Sequence, residues 1–275
     1  DKYGPNIFLI FTIDFIEKNK ESPFFIYYPM ALVHDPFRPT PYSETWEDLD
    51  KRNIGNNPEF FNEMVLYMDN IIGENVKSLK KNNLNKNTLL IFVGDNGTDT
   101  QVVTSNNGNK IKGSKGLTTK YGTNVPMLIN WNDKIKNPRT SDALVDFTDF
   151  YATFEDILNV QNKESWGKSF IPIIKNKGYK QRDVLITYYN PMWGSLSLKR
   201  GVYAQNKTYK LYKNGNFYNY LEDPLEKNSI DINSLKSEEK NYTNKNEVIN
   251  EYIPQEEIKN LIQEDLPFIK AENKI

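Results

Sequence analysis

The chain has 275 residues, a single histidine and no cysteine, and its 35 basic side chains nearly cancel 36 acidic ones. That balance lacks the electrostatic footprint of a protein whose main partner is nucleic acid or an anionic membrane. Without cysteine there is no disulfide, thiolate metal site or cysteine nucleophile, while 38% hydrophobic and 13% aromatic residues supply core for one large domain, or for a domain plus a smaller one.

No apolar stretch approaches the roughly 18 residues of a membrane span. The opening Asp1-Lys2-Tyr3-Gly4-Pro5 reads like the interior of something longer, so a fragment is expected. Residues 7–20 place Phe8, Phe11, Ile13, Phe15 and Ile16 at helical spacings. After Pro23, residues 24–28 (FFIYY) form a continuous apolar run of the buried-strand type. Residues 30–41 hold His34 among Pro36, Pro39 and Pro41 and must be a loop.

From Pro58 the pattern predicts a long amphipathic helix through Phe61, Met64, Val65, Met68, Ile71, Ile72, Val76 and Leu79. Residues 88–93 predict a strand, 106–123 a Gly- and Lys-rich loop, 125–129 another strand and 142–160 another helix. The alternation predicts an α/β domain over residues 1–180, with a largely parallel or mixed sheet flanked by helices. Residues 183–220 look like an antiparallel meander with a hairpin at Asn214-Gly215. With a weak amphipathic helix near 258–262, residues 181–275 are expected to form a small C-terminal antiparallel subdomain.

Three features carry chemistry. The apolar run ending at residue 93 stops at Gly94-Asp95-Asn96-Gly97. As a hairpin turn this needs a returning strand, and Thr98-Asp99-Thr100-Gln101 is a poor one. As a ligand site at a strand's carboxyl end, it offers a carboxylate beside an amide oxygen, a donor pair suited to calcium. His34 follows a predicted strand, again where ligands collect. A lone histidine is more often structural or solvated than catalytic. Lys115, in Gly113-Ser114-Lys115-Gly116, sits in a loop flexible enough to approach an anion, though its spacing is not that of a P-loop.

The order of these features decides more than each alone. "PFFIYYPMALVHDPF", a long helix, "NTLLIFVGDNG", "KGSKGLTTKYGTNVPMLINW" and "YLEDPLEKN" together resemble the sulfatase family. These are the formylglycine-dependent, calcium-binding sulfatases of the alkaline-phosphatase-like fold. The resemblance covers most of residues 7–230. It implies that Asp95 and Asn96 are calcium ligands, that His34 contacts the sulfate ester near its bridging oxygen, and that Lys115 binds the sulfate and helps neutralise the leaving group. Sulfate ester hydrolysis needs cations around the sulfate oxygens and a proton donor for the departing alkoxide, and these residue types suit both tasks.

The chain departs from the family in two places. Lys120-Tyr121-Gly122-Thr123-Asn124 replaces the Glu-Gly-Gly-x-Arg that many members carry before Val-Pro. The Cys/Ser-x-Pro-x-Arg motif that yields the formylglycine is absent, as are the two N-terminal acidic metal ligands. The resemblance therefore implies the C-terminal two-thirds of a sulfatase, inactive alone, with the formylglycine and the other calcium ligands encoded upstream. The implied substrate is a sulfated carbohydrate or aryl sulfate, and the implied location is periplasmic or secreted. Two rival readings stand beside it. One is a phosphate or phosphonate ester hydrolase of the same fold, against which a single histidine counts. The other is a non-catalytic descendant that binds sulfated glycans or a protein partner.

Overall fold

The computed structural model describes residues 3–52, 55–160, 167–176, 182–191 and 200–231; the helix expected near 258–262 lies outside them. The chain divides into two compact units: residues 1–115 with 124–139, and residues 116–123 with those from 140 onward.

In the first unit, helix α1 (Gly4–Lys18) starts with Pro5 in its first turn, where a missing N–H costs nothing, and ends with Lys18 against the negative end of the helix dipole. Its buried stripe, Leu9, Thr12 and Ile16, faces the longest helix. Helix α2 (Leu49–Arg52) is one turn. A single 3-10 turn, Pro58–Phe60, is capped by the Asn57 side chain accepting from the Glu59 N–H, and leads into α3 (Phe61–Lys81). Met64, Tyr67, Ile71, Asn75, Ser78 and Leu79 recur at three- and four-residue steps and form its buried face. The core joins Leu9, Leu32, Phe37, Met64, Tyr67, Ile71 and Val102, and Tyr67 OH donates to Asn6 Oδ1 at 2.7 Å across the two helices.

Strand β1 (Leu90–Val93) pairs antiparallel with β4 (Met127–Asn130), from Leu90 opposite Asn130 to Val93 opposite Met127. Between them lies a hairpin, β2 (Val103–Asn106) and β3 (Asn109–Lys112). Two sequence expectations change here. Residues 24–28 are neither helix nor strand and join no ladder among the described residues. They run along α1, with Phe24 packed edge-on against Phe15 and Phe25 and Tyr27 turned outward, 69% and 80% exposed. No described ladder is parallel, because β1 takes β4 as its partner. The mixed α/β class holds.

The second unit contains one-turn α4 (Lys120–Thr123), α5 (Thr148–Leu158), one-turn α6 (Ile171–Ile174) and the sheet β5 (Leu185–Tyr189), β6 (Gly201–Gln205), β7 (Tyr209–Tyr212) and β8 (Phe217–Asn219). The sheet is an antiparallel meander in chain order, as expected. Gly215, at φ 97°, takes the left-handed position of the β7–β8 turn. Helix α5 begins six residues later than its pattern suggests. The Asp146 carboxylate accepts from the Thr148 N–H and hydroxyl and so fixes the start of the helix. Asp149 is fully buried in this unit, held by a two-point ion pair with Arg182 (2.6 and 3.1 Å) and by the Lys168 and Asp146 N–H groups.

Candidate active site

His34 and Lys115, 81 residues apart in sequence, meet in the first unit: Lys115 Nζ lies 2.8 Å from His34 Nε2. The other ring nitrogen sets the direction of that bond. His34 Nδ1 is 2.7 Å from the Asp35 carbonyl oxygen, which can only accept, so Nδ1 carries the proton. The Asp35 carboxylate, 3.1 Å from the same nitrogen, reinforces it. Nε2 is then a lone pair, and the lysine ammonium donates to it. The result is a neutral imidazole with a cation at its tip, exposed on a loop, which can contact an incoming anion and pass it a proton.

Local packing brings the two loops to this point. The His34 loop is anchored three residues on by the buried Phe37 ring, which stacks edge-on against Phe61. The Phe37 N–H donates to Asn56 Oδ1, and its carbonyl accepts from the Asn57 N–H. Lys115 follows the hairpin. Its N–H donates to the Thr98 carbonyl at 3.0 Å, and the Gly113 N–H donates to Val102. Gly113 lies so close to the Thr98 and Asp99 carbonyls that a Cβ would stand 2.0–2.4 Å from their oxygens. A side chain there would displace the loop that carries Lys115.

Asp95 and Asn96 sit at the carboxyl end of β1, both exposed. They are not the turn of a hairpin, since the strand that pairs with β1 begins at Met127. Gly94 continues the ladder by donating to the Pro126 carbonyl, and a Cβ on it would press on Val125 at 3.3 Å. The structure thus joins His34 to Lys115 directly. It ties Lys115 by its backbone to Thr98, two residues past Asn96, and records no hydrogen bond between either Asp95 or Asn96 and the His34–Lys115 pair. Among the described residues no group of three or more His, Cys, Asp or Glu side chains forms a metal site. The adjacent carboxylate and amide fit calcium in kind, as hard oxygen donors, but fall short of the 6–8 ligands it takes.

Reasoning from sequence missed Asp35, the group that orients the imidazole, although it is the next residue. It also missed the second-unit setting of the Glu222–Asn228 motif. There Glu226 pairs with Lys210 at 2.7 Å, with side chains 5% and 1% exposed. Lys210 Nζ also donates to the Thr118 carbonyl and stands 4.5 Å from the Tyr203 ring centre. Tyr212 OH bonds both Glu226 and Thr118. Burial pushes the Lys210 ammonium below its ordinary range, opposed by Glu226, and pushes the Tyr212 phenol far up.

The sulfatase family profile matches residues 2–160, and a second profile, described as N-sulphoglucosamine sulphohydrolase, C-terminal, matches residues 115–261. The chain belongs to the sulfatase family, whose members hydrolyse sulfate esters. It is 28% identical over 185 residues to an N-acetylgalactosamine-6-O-sulfatase of Bacteroides thetaiotaomicron, covering 62% of this chain and 34% of that protein. With an ulvan-active sulfatase of Formosa agariphila it shares 30% identity over 111 residues, 40% of this chain and 17% of the other. Among solved structures, a Pseudoalteromonas sulfatase superposes with a TM-score of 0.63 at 19% identity, over 91% of this chain and 53% of that one. A structure solved with its substrate D-glucosamine-2-N,6-O-disulfate gives 0.58 at 23% identity, over 70% and 40%. These superpositions establish the alkaline-phosphatase-like fold. The chain spans about a third to a half of the length of its longer-matching curated relatives.

Proposed function

We propose that the protein hydrolyses a sulfate ester, with a sulfated glycan as the substrate class, and that the 275 residues carry the leaving-group side of its active site. The observation that carries the reading is the 2.8 Å contact between His34 and Lys115, which the family resemblance assigns separately to the ester's bridging oxygen and to the sulfate. In this reading the Lys115 ammonium binds a sulfate oxygen and offsets charge moving to the leaving group. His34, oriented through Nδ1 by the Asp35 carbonyl, takes up at Nε2 the proton that Lys115 donates and delivers it to the bridging oxygen, so that the alkoxide leaves protonated and Lys115 ends as the neutral amine. Asp95 and Asn96 would hold a calcium ion together with ligands from elsewhere in the protein. When bound, calcium supplies positive charge to the sulfate oxygens, and the family's formylglycine supplies the nucleophile.

Residues 1–180 belong, in this reading, to the second half of the catalytic domain and residues 181–275 to a C-terminal subdomain. The exposed apolar face of α1 (Ile7, Phe8, Ile10, Phe11) and the outward Phe25 and Tyr27 support a longer catalytic domain, since its remaining part would cover them. Glycan substrates are supported by relatives named for N-acetylgalactosamine 6-O-sulfate and ulvan. Assay of the full-length gene product on sulfated oligosaccharides and an aryl sulfate tests the proposal. Sulfate release that His34→Ala and Lys115→Ala each abolish or greatly reduce is the expected result. A full-length protein that binds sulfated glycans but releases no sulfate would replace it with the non-catalytic reading.

A further inference from the structure

His34 and Lys115 belong to loops far apart in sequence, and no ladder among the described residues links them, so other contacts must hold them at hydrogen-bond distance. The contacts can be followed from one to the other within the first unit. Three residues after His34, the Phe37 N–H donates to Asn56 Oδ1 at 2.7 Å. Asn56 Nδ2 donates to Gln101 Oε1 at 2.9 Å. The Gln101 N–H and Nε2 both donate to Asp99 Oδ1, at 2.8 and 3.2 Å. Asp99 and Thr98 present the carbonyls against which Gly113 is pressed, and Thr98 O accepts from the Lys115 N–H. Besides the apolar core that packs Leu32 and Phe37 with Val102, the polar span between the two loops among the described residues is a single amide-to-amide bond, Asn56 to Gln101.

We propose that Asn56 and Gln101 are positioning residues that set the His34–Lys115 separation, a role that rests on the sulfatase reading above. Both are exposed, so substituting them costs little stability. Each amide uses both of its ends. Asn56 accepts from the His34 loop and donates to Gln101, and Gln101 accepts from Asn56 and donates to Asp99. Asn56→Asp keeps the acceptor for Phe37 but turns an oxygen toward the Gln101 oxygen, so it breaks the span without unseating Phe37. A misplacement of about 1 Å at a reacting group can cost on the order of 10²-fold in rate.

The test is a double-mutant cycle in the full-length protein. Asn56→Asp and Gln101→Ala are each made with and without His34→Ala and assayed on an aryl sulfate with a poor leaving group. With His34 present, kcat should fall by roughly 10- to 100-fold while KM and melting temperature stay nearly constant. In the His34→Ala background the same changes should cost nothing further, because the group they position is gone. Equal losses in both backgrounds would overturn the proposal. A second readout does not need activity: the His34 imidazole NMR signals, assigned by their loss in His34→Ala, should shift in both variants. Unchanged signals would overturn the proposal. Shifted signals in a protein that releases no sulfate would support the positioning role and refute the sulfatase reading instead.

Discussion

Two lysines with close partners show how the two units of this molecule differ. Lys115 sits on a half-buried loop and donates to a neutral imidazole, with no carboxylate on its ammonium among the described residues. Lys210 is 1% exposed, balanced by Glu226, and stands over a tyrosine ring. The first arrangement leaves a charge uncompensated in reach of solvent, where an anion can complete it. The second has already satisfied its charge inside the fold, so its value lies in what it holds together: β7, the Glu226 loop and the Gly116–Thr123 segment. In the proposed reading one lysine acts and the other holds, and burial with charge balance separates them better than residue type does.

The largest effects should appear where that comparison is broken at the exposed pair. In the full-length enzyme, His34→Ala and Lys115→Ala should each lower turnover of an unactivated sulfate ester by about 10²–10⁴, as for a lost general acid or charge stabiliser. The stability change should stay below about 1 kcal/mol, as for most exposed positions. On an aryl sulfate with a very acidic phenol the His34 loss should shrink, because a good leaving group needs little protonation. Equal losses across leaving groups would remove the acid role and leave His34 as a sulfate contact.

The buried pair should respond the other way. Lys210→Ala leaves Glu226 without its cation and should destabilise the second unit by about 3–5 kcal/mol. Lys210→Met combined with Glu226→Leu should recover part of that loss, since no buried charge is then stranded. Chemical denaturation reads both. A Lys210→Ala chain as stable as the parent would mean that the pair is solvated in solution, and the contrast with Lys115 would fail.

The sequence exposes the two lysines unequally. Lys115 stands out because Gly113 and Gly116 flank it and a family motif contains it. Lys210 lies in an ordinary strand, and only pairing β7 with β8 and folding back Glu226 reveals its partner. Helices α1 and α3 were legible because their apolar periodicity is their packing surface. The hairpin of β2 and β3 was not, since its strands are almost wholly exposed and carry no alternating pattern to read, although its Asn107-Gly108 turn, at φ 50° and 80°, is a hairpin signature. The composition of residues 24–28 predicts a buried strand. They join no ladder among the described residues, because a ladder depends on a partner, and composition does not encode one. At the candidate site, motifs single out His34, Asp95, Asn96 and Lys115, whereas the 2.8 Å contact and the Asn56–Gln101 span depend on tertiary closure.

A smaller, distributed effect separates the units by pH. Tyr203, Tyr212 and Tyr220 in the second unit all have phenols raised by burial above the ordinary 10.0. In the first unit Tyr28 is raised and Tyr3 is pushed up to about 12. A raised folded value means that the unfolded chain loses its proton first. Their contribution to stability is therefore complete below pH 10 and is lost as pH climbs through the folded values. Lys210, with a lowered value, works in the opposite sense, adding stability as pH rises toward 10.5 and nothing beyond it. The net expectation is a melting temperature that falls above pH 10, with the tyrosinate absorbance of these buried phenols appearing only as the chain unfolds. A melting temperature unchanged between pH 9 and pH 11 would show these phenols to be solvated.

The smallest expected effect concerns calcium and the 275-residue chain. Asp95 and Asn96 are exposed, adjacent and chemically suited to a hard cation, but two side-chain oxygens leave most of a 6- to 8-ligand shell to water. Water already satisfies calcium in bulk, so replacing two of its oxygens gains little, and one carboxylate supplies only one negative charge. Titration calorimetry on this chain should therefore show at most millimolar binding, with Asp95→Ala changing it by less than about 1 kcal/mol. In the full-length protein, where further acidic ligands are expected, the same substitution should weaken calcium binding sharply and raise the calcium needed for half-maximal turnover. Micromolar affinity in the 275-residue chain, abolished by Asp95→Ala, would show that the remaining ligands lie within these residues and that the division of the metal site has been drawn in the wrong place.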